Sequence, residues 1–418
     1  MHTRLHPTFA DSTRARAARD VIGNCVHCGF CNATCPTYLE LGDERDGPRG
    51  RIYLIRQMLE SGDVSEHSRL HLDRCLTCRA CETTCPSGVE YGRLVDFGRE
   101  VMEGLVSRRP FERMKRRALR LIVPHRRRFG ALLRMGQWLR HVLPRRQRAR
   151  IPERQRRAPA AAGAHGRRVA LLDGCVQSVA TPNTNDAATR VLSRLGITAL
   201  RVPGAGCCGA LSYHLSAHEE ARHFVRRNID ALMPLIRDGV ERIVSSASGC
   251  GVMLKDYGAL MADDPDYAEA AGRVSEMTVD LCELLAQEDL SCLAVSGGGP
   301  VALHCPCTLN HGLGLGDTLR SVLQRSGVEL ASTRDDHLCC GSAGTYSLLQ
   351  PEMSRSLLAN KLEALDAGSP VRIVTANVGC QLHLAGGSAV PVGHWIELLD
   401  RRADPAGSQP GQRRGESP

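Results

Sequence analysis

Two runs of four cysteines carry the chemistry most legible in this sequence. They read Cys25-Val-His-Cys28-Gly-Phe-Cys31-Asn-Ala-Thr-Cys35-Pro36 and Cys75-Leu-Thr-Cys78-Arg-Ala-Cys81-Glu-Thr-Thr-Cys85-Pro86. Both have the form Cys-x2-Cys-x2-Cys-x3-Cys-Pro, the run that holds [4Fe-4S] clusters. Three thiolates on one tight loop can each reach an iron of the cube, and the fourth iron takes its ligand from elsewhere. The proline after the fourth cysteine has no backbone N–H to donate and turns the chain away. Where two such clusters sit in one protein, the fourth cysteine of each run ligates the other cluster. The spacing therefore assigns one cluster to Cys25, Cys28, Cys31 and Cys85, and a second to Cys75, Cys78, Cys81 and Cys35. That exchange locks the two loops together and brings the clusters within electron-transfer distance. Zinc sites use paired Cys-x2-Cys or Cys/His sets rather than this doubled run. Disulfides need an oxidising compartment, of which the chain shows no sign.

A second set of cysteines recurs later in the chain. Cys175, Cys207, Cys208 and Cys250 are followed by Cys305, Cys339, Cys340 and Cys380. In each copy an adjacent Cys-Cys pair precedes a glycine, which allows positive φ and lets backbone N–H groups point at an anion or sulfide. Four thiolates per copy could hold one cluster or a zinc ion, or be a partly vestigial site; ligand number alone does not name the metal. Cys282, Cys292 and Cys307 fall outside this pattern, Cys282 reading as buried packing and Cys307 as a spare ligand. His214, His304, His311 and His394 lie near these motifs and could protonate a bound quinone or serve as hydrogen-bonded structure.

The elements that must position these residues follow from pattern. Around the first two runs, helices are expected over 11–23, 48–60, 65–74 and 93–107, with Pro48 at a first turn and Gly62 as a stop. Arg49 and Arg51 either offset cluster charge or are solvated. From residue 168 the order strand, helix, Cys-Cys-Gly loop, helix, strand occurs twice, with strands at 169–172, 242–245, 301–304 and 371–375. This is the α/β pattern, and its cysteines fall where strands run out, the place where such sheets collect ligands.

Composition sets the bounds. With 418 residues the chain is too long for one ordinary domain, and 42% hydrophobic content with only 4% aromatics calls for aliphatic cores. Nineteen cysteines in a chain of this length point to metal rather than to a disulfide scaffold. Residues 1–20 contain no apolar stretch, so no secretory signal is expected, and no apolar run is long enough to span a bilayer. The expected location is cytoplasmic. The net charge of +9 is local: residues 108–168 hold 21 Lys/Arg against two acids, while the rest of the chain holds 33 bases against 43 acids. Apolar residues interleave with those arginines from Phe111 to Leu143, and Pro124 and Pro144 punctuate two helical stretches. A basic amphipathic pair with a Trp suits an anionic membrane surface, and it could equally dock on the protein's own domains. No motif accompanies the charge that would suit nucleic acid.

The doubled cluster run with a helical linker resembles the α-helical ferredoxin domain of succinate dehydrogenase and related subunits. The later repeat resembles the cysteine-rich CCG domain of heterodisulfide reductase and of several respiratory dehydrogenase subunits. Gly47-Pro-Arg-Gly-Arg-Ile-Tyr, His71-Leu-Asp-Arg-Cys-Leu-Thr-Cys, His304-Cys-Pro-Cys-Thr-Leu and Cys339-Cys-Gly-Ser-Ala-Gly-Thr-Tyr together resemble the family of glycolate oxidase iron-sulfur subunits. The fold this implies is multi-domain, α and α/β. An α-helical two-cluster ferredoxin domain (11–107) precedes a basic amphipathic segment and linker (108–167), two α/β CCG domains (168–290 and 299–402) and a disordered tail (403–418). The function it implies is electron transfer within a glycolate-oxidising complex, glycolate going to glyoxylate and in some cases D-lactate being oxidised. Flavin-containing partner subunits would supply electrons, two [4Fe-4S] clusters would relay them toward the quinone pool, and the CCG domains could add a further Fe-S cluster or zinc. Residues 108–157 would meet the cytoplasmic face of the inner membrane. No Gly-x-Gly-x-x-Gly fingerprint is present, so the flavin and the hydroxy acid are expected on the partners. The alternatives are the equivalent subunit of a lactate or anaerobic glycerol-3-phosphate dehydrogenase, or a heterodisulfide-reductase-like catalytic subunit. Ala247 and Asn377 stand where the full CCG motif has a further cysteine, which argues against the last of these.

Overall fold

The computed structural model describes residues 2–144, 148, 151–155, 163–295 and 297–400. The expected tail from 403, and most of the small-residue stretch 158–166, lie outside them.

The N-terminal part is helical. Helices α1 (Thr13–Gly23), α2 (Pro36–Leu41), α3 (Pro48–Ser61), α4 (Glu66–Asp73), α5 (Ala80–Thr83) and α6 (Tyr91–Leu105) surround the first eight cysteines. Local chemistry sets their ends: the Ser12 hydroxyl accepts from Ala15 N–H, Ser65 accepts from Ser68 N–H, Pro48 occupies the first turn of α3, and Gly62 closes it at φ 72°. Ile22, Ile52, Ile55, Leu59, Leu94 and Val95 are buried together in a core that also holds Phe9, Phe97, Tyr91, Cys75 and Cys81. Two helices are shifted from expectation: α1 starts at Thr13, two residues late, and α6 runs two residues early at both ends, from Tyr91 to Leu105, so that the tyrosine faces the cluster loops.

The basic segment forms two helices, α7 (Pro110–Ile122) and α8 (Arg126–Leu139), separated at Pro124 as expected. Their ion pairs run inward. Arg108 is buried and clasps Asp73 and Glu103, Arg116 reaches Asp73, Arg120 reaches Glu220 and Arg126 reaches Asp173. The segment is thus strapped to both neighbouring parts of the chain. Phe111, Met114, Met135 and Trp138 are left on the outside, Trp138 with 77% of its surface exposed. Among the described residues, no helix is long and apolar enough to cross a membrane.

The remainder is α/β. Strands β1 (Arg167–Leu172), β2 (Ile197–Arg201), β3 (Arg242–Ser245) and β4 (Thr278–Asp280) form a parallel sheet in the order β2-β1-β3-β4. Strands β5 (Val301–His304), β6 (Arg372–Thr375) and β7 (Val392–His394) form a second parallel sheet in that order. The repeat extends to the register: β1 sets Val169 against Arg242 of β3, and β5 sets Val301 against Arg372 of β6. Strands β2, β4 and β7 are not among the four expected from the sequence, and in the second copy a single bridge, Val301 to Leu330, stands in the place of β2. Strand alternation sends Val169 and Leu171 to one face and Ala170 and Leu172 to the other. The first face meets Val301, Leu303, Val374 and Trp395 of the second copy in one shared core. The two repeats are therefore fused across an apolar seam.

Candidate metal centres

Each ferredoxin-type loop is built on the same two left-handed residues. His27 and Gly29 have φ 57° and 86°, and their counterparts Thr77 and Arg79 have φ 55° and 62°. A β-branched residue at positive φ is strained, and the strain persists only where the surroundings enforce it. Here it curls the backbone so that Thr77 N–H donates to the Cys75 sulfur at 3.4 Å. Arg79 is held by Glu82 and by Asp256 of the first repeat.

The eight sulfurs fall around two hollows. Cys25, Cys28, Cys31 and Cys85 line one, with Arg49 and Ile52, and Cys81 and Tyr91 stand in the wall it shares with the other. Cys35, Cys75, Cys78 and Cys81 line the other, with Arg51 and Tyr91. Cys85, from the second run, thus lies beside the first three cysteines, and Cys35, from the first run, beside the second three. Cys28 of the first set is exposed, whereas Cys35, Cys75 and Cys81 of the second are buried. Burial pushes the Cys31 thiol up to about 11 and the Cys78 and Cys81 thiols well above their ordinary value. Thiolates are costly at such sites unless a positive core compensates them, which is what a cluster provides.

Arginine and tyrosine complete the second hollow. Arg51 is 1% exposed and donates to the His71 carbonyl at 2.7 Å, to Thr37 Oγ1 at 3.0 Å and toward the Cys35 sulfur at 3.9 Å. Asp46, wholly buried, takes Arg51, His71 and Arg74 at 3.4, 3.1 and 2.8 Å. Tyr91 O–H points at the Cys75 sulfur at 3.7 Å. So Arg51 is not a solvated helix-end residue, while Arg49 pairs with Glu44 at 2.6 Å on the half-buried rim. Nothing in the sequence distinguished Tyr91.

The repeat cysteines form two further clusters. In the first, the thiols run in hydrogen-bonding contact from Cys175 to Cys207, Cys208 and Cys250. In the second the row is Cys307, Cys339, Cys340 and Cys380. Cys307 takes the position that sequence pattern gave to Cys305. Cys175 and Cys307 lie equally far past β1 and β5, and each precedes its Cys-Cys pair by 32 residues, a spacing that was open to reading. Cys305 instead is partly buried and packs against the shared core that contains Cys282.

Both Cys-Cys-Gly turns are built alike. Gly209 N–H donates to Cys207 Sγ at 3.5 Å and Gly341 N–H to Cys339 Sγ at 3.4 Å. Gly341 has φ 81°, and a Cβ there would sit 2.7 Å from the Ser354 carbonyl oxygen, so only glycine fits. Asn377, at one missing-cysteine position, caps the helix that carries Cys380 by accepting from Gly379 N–H at 3.2 Å. Ala247 opens the corresponding helix in the first copy without a side-chain cap.

The histidines separate by surroundings. His394 is buried and bonds the Ser246 carbonyl at 2.8 Å, and burial lowers its pKa to about 4. His311 bonds Thr83 Oγ1 at 2.9 Å. His214 pairs with Asp96 at 3.3 Å on the wall of a cleft of about 1050 Å³ between the helical part and the first repeat, a cleft that Cys78 also reaches. His304 is fully buried, and among the described residues neither ring nitrogen has a hydrogen-bond partner. The second thiol row abuts the second cluster hollow: Cys78 and Leu76 pack with Cys307, Cys339 and Tyr346. Lys361, with no exposed surface, lies beside that row, its ammonium donating to the carbonyls of Asp335 and Asp336.

Comparison with known proteins agrees with this layout. Residues 22–89 match the 4Fe-4S dicluster domain, and residues 169–255 and 301–385 each match the CCG cysteine-rich domain. The chain is 50% identical to the glycolate oxidase iron-sulfur subunit of Escherichia coli (strain K12), over 96% of this chain and 99% of that one. It is 32% identical to a probable glycolate oxidase iron-sulfur subunit of Bacillus subtilis (strain 168), over 86% and 88%. It is also 26% identical to lactate utilization protein A of Bacillus velezensis, over 56% of this chain and all of that one.

Proposed function

Since this chain belongs to the family of glycolate oxidase iron-sulfur subunits, we propose that it takes electrons from flavin-bearing partner subunits that oxidise glycolate and passes them to an acceptor of the quinone class. The observation that carries this reading is the order of the two cysteine hollows. One opens at the surface through Cys28, and the other is buried and reaches the cleft at Cys78. Two [4Fe-4S] clusters held there would supply the one-electron steps between a two-electron flavin and the acceptor. The protein's own residues set the conditions. Arg51 and Tyr91 direct N–H and O–H groups at sulfurs of the second hollow and stabilise added negative charge on it. The acceptor site is the cleft beside Cys78, where the His214–Asp96 pair stands as a proton source for a reduced quinone. Residues 11–107 act as the relay domain, and 168–290 with 299–402 as a fused scaffold that walls the cleft.

The test is glycolate oxidation by the reconstituted complex, followed with a flavin-level dye and with a soluble quinone. Cys78→Ser should abolish quinone reduction while the flavin is still bleached by glycolate. His214→Ala should slow the quinone assay at least tenfold with little change in the dye assay. Full quinone turnover in Cys78→Ser would end the relay reading.

We also propose that α7 and α8 hold the complex on an anionic membrane face. Their inward arginines are engaged in ion pairs with the body, but Arg113, Arg117, Arg127 and Arg128 stay exposed around Phe111, Met114 and Trp138. Because Arg108 is a buried clasp, the test uses point changes rather than deletion of the segment. Phe111→Ala with Trp138→Ala should cut cosedimentation with phosphatidylserine vesicles about tenfold at physiological salt, given the loss of two exposed apolar anchors. Unchanged cosedimentation would rule this face out.

A further inference from the structure

The second thiol row contains a donor that has no counterpart in the first. His304 ends β5, and the equivalent position at the end of β1 is Leu172. The imidazole is fully buried, and both of its nitrogens lack partners among the described residues. A buried imidazole left without a hydrogen bond is costly, and such groups are rare unless something absent from the protein chain completes them. One of its ring nitrogens and the sulfurs of Cys340 and Cys380 all lie within 4.8 Å of one another. Three separate elements converge to place them: the end of β5, the Cys-Cys-Gly turn shaped by Gly341, and the first turn of the helix Val378–Ala385.

The spacing discriminates between kinds of metal centre. With bonds of about 2.3 Å to sulfur and about 2.0 Å to nitrogen, a tetrahedral ion draws its donors to roughly 3.3–3.8 Å of one another. A cubane holds each thiolate on a different iron, which sets neighbouring sulfurs roughly 6 Å apart. A group already gathered within 4.8 Å needs only a small closure to meet the first requirement. Mixed nitrogen and sulfur donors in a closed, buried setting are those of a structural zinc site.

We propose that the second repeat binds one zinc ion through His304, Cys340 and Cys380, with a fourth thiolate from the adjoining Cys307–Cys339 pair. Binding releases the thiol protons to solvent and needs no oxidant or reductant. The ion ties the strand end, the turn and the helix together beside Cys78. Being redox-inert, it seals that flank of the relay rather than extending it. The first repeat, with four thiols and a leucine in place of the histidine, does not form this site.

The experiment is metal analysis and zinc-edge X-ray absorption on the full chain purified anaerobically and dialysed against a weak chelator. About one tightly held zinc per chain, with a nitrogen shell near 2.0 Å beside the sulfur shell near 2.3 Å, is the expected result. His304→Ala should lose at least four-fifths of the zinc with cluster iron unchanged, His304→Cys should retain it, and Cys175→Ala should not affect it. Wild-type protein without zinc, a shell of sulfur alone, or zinc retained in His304→Ala would each overturn the proposal. So would excess iron, lost in His304→Ala, in place of zinc. The wild-type spectrum answers the question even if a variant fails to fold.

Discussion

Replacing Cys85 by serine is expected to strip iron from the loop of Cys25, Cys28 and Cys31 while leaving the site of Cys75, Cys78 and Cys81 loaded. The residue sits at the end of the second run, but the hollow it lines belongs to the first. Iron should fall from about eight to about four per chain, the content of one cubane cluster. The mirror substitution, Cys35→Ser, should spare the first site and empty the second, where Cys35 lines the buried hollow. The two remaining clusters differ in setting, one at the surface near Cys28 and one interior. They should therefore differ in electron paramagnetic resonance signal and in sensitivity to oxygen, the first being the more labile. If Cys85→Ser instead emptied the second site, each run would be serving its own cluster, and the interlock of the two loops would be wrong.

Arg51→Met should be the most damaging change outside the cysteines. Burial opposes the charge of Arg51, and Tyr91, Cys75, Cys35 and Asp46 outweigh that penalty, so its pKa rises. Removing one partner of a buried ion pair costs about 3–5 kcal/mol because the other charge is left uncompensated. Asp46 keeps Arg74 at 2.8 Å and His71 at 3.1 Å, so the low end, about 3 kcal/mol, is expected. That corresponds to a fall of roughly 5 °C in the Tm of the cluster-loaded protein. Loss of a positive charge and an N–H beside Cys35 should also drive the potential of the second cluster more negative, which a redox titration reads directly. Arg51→Lys separates the two effects. It keeps most of the charge, and with it the potential, but cannot reproduce the fork that spans His71, Thr37 and Asp46, so stability should still fall. An Arg51→Met protein with wild-type Tm would show that the network adds nothing net.

What the sequence determined by itself is local. Ligand spacing on a cluster loop is a matter of covalent reach, so the runs Cys25 to Cys35 and Cys75 to Cys85 could be read as cluster-binding without knowing the fold. Helix ends at Ser12, Pro48, Gly62 and Ser65 follow from caps within a few residues, and the strands β1, β3, β5 and β6 from short apolar runs. The spacing of 32 residues shared by Cys175–Cys207 and Cys307–Cys339 was also visible in the chain, but the strand end pointed to the nearer Cys305. What only the tertiary structure decided depends on groups far apart in the chain. Arg51 carries the same local pattern as the half-buried Arg49, and it is the convergence of Asp46, His71 and Cys35 that makes it a buried cluster partner. Tyr91 became a hydrogen-bond donor to sulfur because α6 begins early. The two repeats read as separate domains until Val169, Leu171, Val301 and Leu303 meet in one core. His304 looks in sequence like any histidine beside a cysteine. Its lack of partners exists only because β5, the Gly341 turn and the helix of Cys380 close over it, and burial is a property of the assembled chain rather than of any segment.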